Sequence, residues 1–147
     1  MRRRQFVANA LATIMVAAWG SKPNNAFGSG KFHLPEESTP HERTFMQWPV
    51  NRTVHPDEDF LRYLQTNIAI LANTISEFEP VVMLMDRAHI PFARRLLSSD
   101  VEIWNIPTDD LWCRDSGPTF VIDGTGNLAV AHIRFNGWGN KQVHTND

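Results

Sequence analysis

EPVVMLMD, Glu79–Asp86, is the stretch on which the fold turns. Val81–Met85 is an uninterrupted apolar run of strand length, with no polar alternate position for water to face. It reads as a strand buried on both faces, and such a strand needs cover above and below. The flanking sequence offers that cover. Upstream, Pro56 suits a first helical position, and Asp57, Glu58 and Asp59 favour the positive end of a helix dipole. Phe60, Leu64, Ile68, Leu71 and Ile75 then recur at helical spacing until Pro80, which predicts an amphipathic helix with those five as its inward face. Thr44–Trp48, TFMQW, is short, β-branched and aromatic and is stopped by Pro49, so a strand precedes the helix. Downstream, a second helix is expected from about Pro91 to Leu97, and Val101–Ile106, VEIWNI, alternates as a strand does. Phe120–Ile122 and Leu128–Phe135 flank Asp123-Gly124-Thr125-Gly126-Asn127, whose residues tolerate positive φ, which predicts a hairpin. Strand, helix, strand, helix, strand, loop, hairpin is the order of an α/β or α+β protein.

Composition narrows the function classes. With 147 residues, 42% of them hydrophobic and 20% charged, the chain is sized for one domain or a part of one. A formal charge of -2 leaves no basic face for nucleic acid. Cys113 is the single cysteine, so no internal disulfide forms, and no Cys/His spacing matches a zinc site. The histidines, His33, His41, His55, His89, His132 and His144, are scattered and read as structural or solvated rather than metal-binding. No cofactor is implied.

The first 26 residues have the three parts of an export signal: a basic start, MRRR, an apolar stretch from Phe6 to Trp19, and a polar small-residue segment. The apolar stretch falls short of the roughly 20 residues a spanning helix needs, so a removable leader is expected rather than a membrane anchor. Arg3-Arg4-Gln5-Phe6-Val7 resembles the twin-arginine type, which implies a periplasmic or secreted protein. The expected organisation is a signal over 1–26, a linker over 27–34 and a catalytic-domain portion over 35–147. Removing residues 1–26 takes away Arg2, Arg3, Arg4 and Lys22 and no acid, moving the formal charge from -2 to -6. An acidic mature chain suits a cationic substrate.

The chemistry-bearing stretch is DDLWCRDSGPTF, Asp109–Phe120, between the end of one expected strand and the start of another. Loops at strand ends are where α/β proteins hold reacting groups on a rigid scaffold. Two readings are open. In one, Asp109 and Asp110 make turn hydrogen bonds and Arg114 pairs locally with Asp115. In the other, Asp115 is extended, shares a face with Cys113 while Arg114 points away, and is available to a ligand.

Three strings, PHERTFMQWP (Pro40–Pro49), DDLWCRDSGPTF and RFNGWGNK (Arg134–Lys141), resemble in order and spacing the N-terminal portion of the agmatine deiminase family, which includes a bacterial peptidylarginine deiminase branch. The resemblance covers roughly Pro35–Lys141, and family members are more than twice as long. It implies the pentein fold, a fan of five ββαβ-type units, of which about two are expected here. It also implies a cysteine thiolate that attacks the guanidinium carbon, with a histidine as acid and base. Both are expected beyond Asp147, so no catalytic residue is assigned within the chain. Cys113 falls at a variable position of the motif, among carboxylates that oppose thiolate formation, and reads as a bystander. The position matching the family's guanidinium clamp is Asp115. Trp112 matches a pocket wall that stacks on the cation, with a buried core tryptophan as the alternative. Ser38 stands where the family usually has tryptophan, and Asn140 replaces a glycine. The segment matching Phe135–Lys141 holds Lys141 alone in place of the arginines expected of the peptidyl branch, which favours agmatine over a C-terminal arginine of a peptide. A noncatalytic guanidinium-binding fragment is the further alternative.

Overall fold

A computed structural model describes residues 31–146. The expected leader over 1–26, and the first part of the 27–34 linker, lie outside the described residues. Strands β1 (Thr44–Gln47), β2 (Val81–Met85) and β3 (Val101–Asn105) form a parallel sheet in the order β1-β2-β3. Helix α1 (Glu58–Ser76) makes the first crossover; a 3-10 turn, Arg87–His89, leading into the short helix α2 (Ile90–Ala93), makes the second. In the register Thr44 faces Val81 and Val81 faces Val101.

All five residues of β2 are buried, as the unbroken apolar run requires. Val81, Met83 and Met85 join Met46, Trp48 and Val101 in a core closed by Ala69 and Ala72 of α1 and by Ala93 and Leu97. Alternation sends Phe45 and Trp104 to the opposite face. There Phe45 meets Trp104 edge-on at 5.5 Å and stacks on Phe120 at 6.3 Å. Phe120 belongs to the hairpin of β4 (Thr119–Ile122) and β5 (Leu128–Ala131), the second cover of the sheet.

Helix α1 differs from the sequence reading in two respects. Pro56 precedes the helix; Asp57 is the cap, its carboxylate accepting from Phe60 N at 2.9 Å, with Glu58 and Asp59 in the first turn. The inward face is rotated by about one position. Leu61, Gln65, Ala69 and Ala72 are buried and Ile68 and Ile75 partly so, whereas Phe60 and Leu71 stay 51% and 49% exposed. Small Ala69 and Ala72 let the helix axis approach the sheet more closely than a row of large side chains would. Gln65 satisfies its buried amide by donating Nε2 to Pro49 O at 2.9 Å.

The hairpin strand β5 ends at Ala131 rather than running to Phe135. Ala131 pairs with Thr119, and the next partner would be Pro118, which has no N–H to donate. The turn is held by one carboxylate. Asp123 Oδ1 accepts from Thr125 N (2.9 Å), Thr125 Oγ1 (2.7 Å) and Asn127 N (2.9 Å), and Oδ2 from Asn127 Nδ2 (2.8 Å). Gly126 supplies the left-handed residue at φ 84. The Asn127 side chain first, then Thr125, hold the Asp123 carboxyl well below the usual carboxylate range. A depressed folded pKa stabilises the fold above the unfolded value near 3.8, and that stability is lost as pH falls through the folded value. Thermal melts of wild type and Asp123→Asn are therefore expected to differ most at neutral pH and to converge as the pH is taken below about 4. A gap that widens on acidification would contradict this assignment.

Candidate active-site loop

In a parallel sheet the carboxyl ends of all strands share one edge, so the loop after β1 and the loop after β3 emerge on the same side, separated by β2. Three consecutive buried polar residues, Thr108, Asp109 and Asp110, join them. Thr108 Oγ1 donates to Trp48 O at 2.9 Å. The backbone carbonyl of Asp109 accepts from Val50 N and Asn51 N at 3.2 and 3.1 Å. Its carboxylate takes Asn51 Nδ2 at 3.1 Å and Asn146 N at 2.8 Å. Asp110 is 2% exposed; its Oδ1 accepts from His55 Nε2 and from Leu111 N, both at 2.8 Å, and its Oδ2 from Gln142 Nε2 at 3.2 Å. Asp109 and Asp110 thus tie three segments together, which goes beyond the local turn bonds expected of them.

This anchored loop presents a single helical turn, α3 (Cys113–Ser116). The extended conformation considered for Asp115 is not found: Asp115 N and Ser116 N both turn back to Trp112 O, at 3.0 and 3.3 Å. The helical turn forms because Gly117 N closes it on Cys113 O at 2.8 Å and because Ser116 is tied to the end of β1 by Gln47 Nε2 at 3.0 Å. A Cβ at residue 117 would lie 2.4 Å from Cys113 O, so the close approach itself demands glycine there. The direct ion pair of Arg114 is not with its neighbour Asp115, whose charge acts on the guanidinium only as a minor influence. Arg114 reaches across to Glu37, and this contact holds the Glu37 carboxyl below its ordinary range. The Asp115 carboxylate is exposed and makes no side-chain hydrogen bond or ion pair among the described residues.

Trp112 is not a core tryptophan: it is 51% exposed, with its ring edge-on to Trp138 at 6.3 Å. Trp138 in turn packs edge-on against Phe135 at 5.1 Å. The RFNGWGNK string therefore supplies the second aromatic wall beside Trp112. Its backbone is left-handed at four successive residues, Gly137 (φ 60), Trp138 (φ 51), Gly139 (φ 82) and Asn140 (φ 60). Asparagine is among the few residues that adopt this region readily, so Asn140 keeps the path that a glycine would take. A Cβ at 137 would fall 2.5 Å from His144 Nδ1 and 2.6 Å from Gln142 O.

Cys113 sits half-buried on the turn. Among the described residues no group of three or more His, Cys, Asp or Glu side chains is disposed to hold a metal, and no helix is long and apolar enough to cross a membrane. Two clefts are sizeable. One of about 630 Å³ lies between Thr53, Val54 and the Asn140–Thr145 segment; another of about 650 Å³ lies between Phe45, Phe120, Leu128 and the Pro35–Arg43 segment. Neither is lined by Asp115 or Trp112, which stand on an open surface.

His55, Asp110 and Gln142 escaped the sequence reading as a group. Their one signal was a pair of adjacent acids, Asp109 and Asp110, just after an apolar strand, where a buried polar anchor needs partners from distant segments.

The family profile described as Porphyromonas-type peptidyl-arginine deiminase matches residues 33–147. An agmatine deiminase of Ectopseudomonas mendocina is 39% identical over 111 residues, covering 74% of this chain and 29% of that protein. Agmatine deiminase of Enterococcus faecalis superposes with a TM-score of 0.55 at 26% identity, covering 71% of this chain and 29% of that one. A substrate-bound agmatine deiminase of C. jejuni superposes with a TM-score of 0.66 at 21% identity, covering 82% and 35%. The chain spans about a third of the length of the curated relatives it matches. Its sheet, crossovers and hairpin are those of the pentein fold, and the chain belongs to the Porphyromonas-type peptidyl-arginine deiminase family, among whose members its relatives include agmatine deiminases.

Proposed function

We propose that this chain supplies the guanidinium-holding third of an agmatine deiminase, with Asp115 as a clamp and Trp112 as an aromatic wall. The observation that carries this is the exposed Asp115 carboxylate, hydrogen-bonded by no other side chain among the described residues, on the same turn as the exposed Trp112 ring. A guanidinium is planar and permanently charged, offers paired N–H donors along its edges, and exposes flat faces. A carboxylate accepts two parallel N–H bonds from such an edge, and an indole covers the face. Each charge-assisted bond contributes about 1.5–3 kcal/mol.

The reaction is completed by groups from the other two thirds of a full-length member. A cysteine thiolate attacks the guanidinium carbon, the C–N bond breaks and ammonia leaves with a proton from a histidine. Water then gives a proton back to the histidine as its oxygen adds to the same carbon, the C–S bond breaks, and the thiolate returns as the ureido product departs. Binding by Asp115 holds the carbon in position for attack. The open surface around Asp115 and Trp112 fits a site whose remaining walls come from elsewhere.

Peptidylarginine is the second reading, favoured by the family description. Against it, FNGWGN between Arg134 and Lys141 carries no arginine to fork onto a peptide carboxylate, and agmatine has no carboxylate to hold. Export through the twin-arginine-like leader is part of the proposal.

Isothermal calorimetry of the 147-residue chain with agmatine tests the reading. Wild type is expected to bind, Asp115→Asn to weaken binding by about tenfold or more, and a peptide ending in arginine to compete poorly. Equal affinity of wild type and Asp115→Asn would sink the clamp; tighter binding of the peptide than of agmatine would exchange the two readings. No heat at all would leave a noncatalytic fragment that binds nothing.

A further inference from the structure

We propose that Asp110, clasped by His55 and Gln142, is a positioning residue that sets the orientation of the Trp112–Asp115 turn. The inference rests on the binding reading above and explains how an exposed clamp stays preorganised. No side-chain hydrogen bond among the described residues fixes the exposed Asp115 carboxylate, so its placement is inherited from the backbone that enters the turn. That backbone enters at Leu111, whose N–H is held by Asp110 Oδ1 at 2.8 Å.

The same oxygen takes His55 Nε2 at 2.8 Å, and the other takes Gln142 Nε2 at 3.2 Å. The three donors come from the loop after β1, from the turn itself and from the segment after the Trp138 loop. One carboxylate therefore fixes the clamp relative to both neighbouring walls. Asp110 and His55 side chains are 2% and 12% exposed, and the His55 ring lies against Phe60 at 6.1 Å. A carboxylate acts only as acceptor, so the imidazole presents Nε2–H to it. Buried donors that lose their acceptor keep the full desolvation cost, which is why removing this one side chain would free the turn rather than let it repack. None of this group needs to meet the substrate: His55 has its Nε2 committed to Asp110.

The test uses the 147-residue chain and two readouts, amide hydrogen exchange and agmatine affinity. Asp110→Ala and His55→Ala are expected to speed exchange at residues 111–117 by about tenfold more than at Val82–Met85, and to raise the agmatine Kd by about tenfold. His55→Gln, which can still present an N–H near the Nε2 position, is expected to restore both. Should Asp110→Ala fail to fold, His55→Ala, at the more accessible end of the pair, decides alone. Exchange in the turn that is unchanged, or that rises no more than in β2, overturns the positioning role, because general destabilisation would not single out the turn. If instead Asp115→Asn leaves the Kd untouched, the clamp reading fails, and the exchange experiment still decides whether Asp110 orders the turn.

Discussion

Purified alone, the 147-residue chain is expected to release no ureido product from agmatine, even at enzyme concentrations where a full-length relative turns over in seconds. Deimination needs a nucleophile, a proton shuttle and an oriented cation together, and rate accelerations of about 10⁶-fold or more depend on all of them. On the proposed reading this chain offers the third. Cys113 is its only thiol, and it does not meet the description of the first. It lies half-buried on the one-turn helix with Asp115 two residues on, and a reactive thiol requires an electropositive surrounding that draws its pKa down. The nearest cation in sequence, Arg114, is directed to Glu37. A colorimetric assay for ureido product over hours decides the matter. Product formation that Cys113→Ala abolishes would overturn both the bystander reading of this cysteine and the view that the reacting groups lie elsewhere.

Met83→Ala is expected to cost about 2–5 kcal/mol, the range for large-to-small changes at fully buried sites. Met83 is the middle residue of β2, fully buried and hydrogen-bonded into strands on both sides, with its side chain in the core that α1 closes. Small domains have about 5–15 kcal/mol in all, so the change takes a large share of the stability. Leu71→Ala is the matched control. Helical spacing alone would rank Leu71 as a core residue, yet it stays half exposed, and its loss is expected to lie within about 0.5 kcal/mol. Urea unfolding of the two variants at equal slope measures the contrast. Similar losses for both would mean that the helix face is not the one described.

Five consecutive apolar residues between Glu79 and Asp86 identified the central strand, because a run of that length bounded by Pro80 and Asp86 is too short for a buried helix and fits a strand covered on both faces. The hairpin was equally plain, since Asp-Gly-Thr-Gly-Asn has few other uses between two apolar runs. Local chemistry also located the loop that carries Trp112 and Asp115. What one-dimensional periodicity did not reveal was the rotation of α1, because Phe60, Leu64 and Leu71 obey helical spacing as well as Leu61, Ala69 and Ala72 do. The choice between the two faces went to the small residues that let helix and sheet approach.

The state of Asp115 was likewise open in the sequence, where Arg114 is its neighbour in every conformation. It was decided by Glu37, many residues away, which takes the arginine, and by Gly117 and Gln47, which close the turn. The anchor of Asp110 by His55 and Gln142 spans 55 and 32 positions of chain and has no local signature. Sequence by itself determined which segments become strands and where the polar loop lies, since those depend on neighbours a few residues apart. Tertiary structure alone decided which charges are satisfied and which is left facing solvent, because electrostatic pairing follows distance in space and not position in the chain.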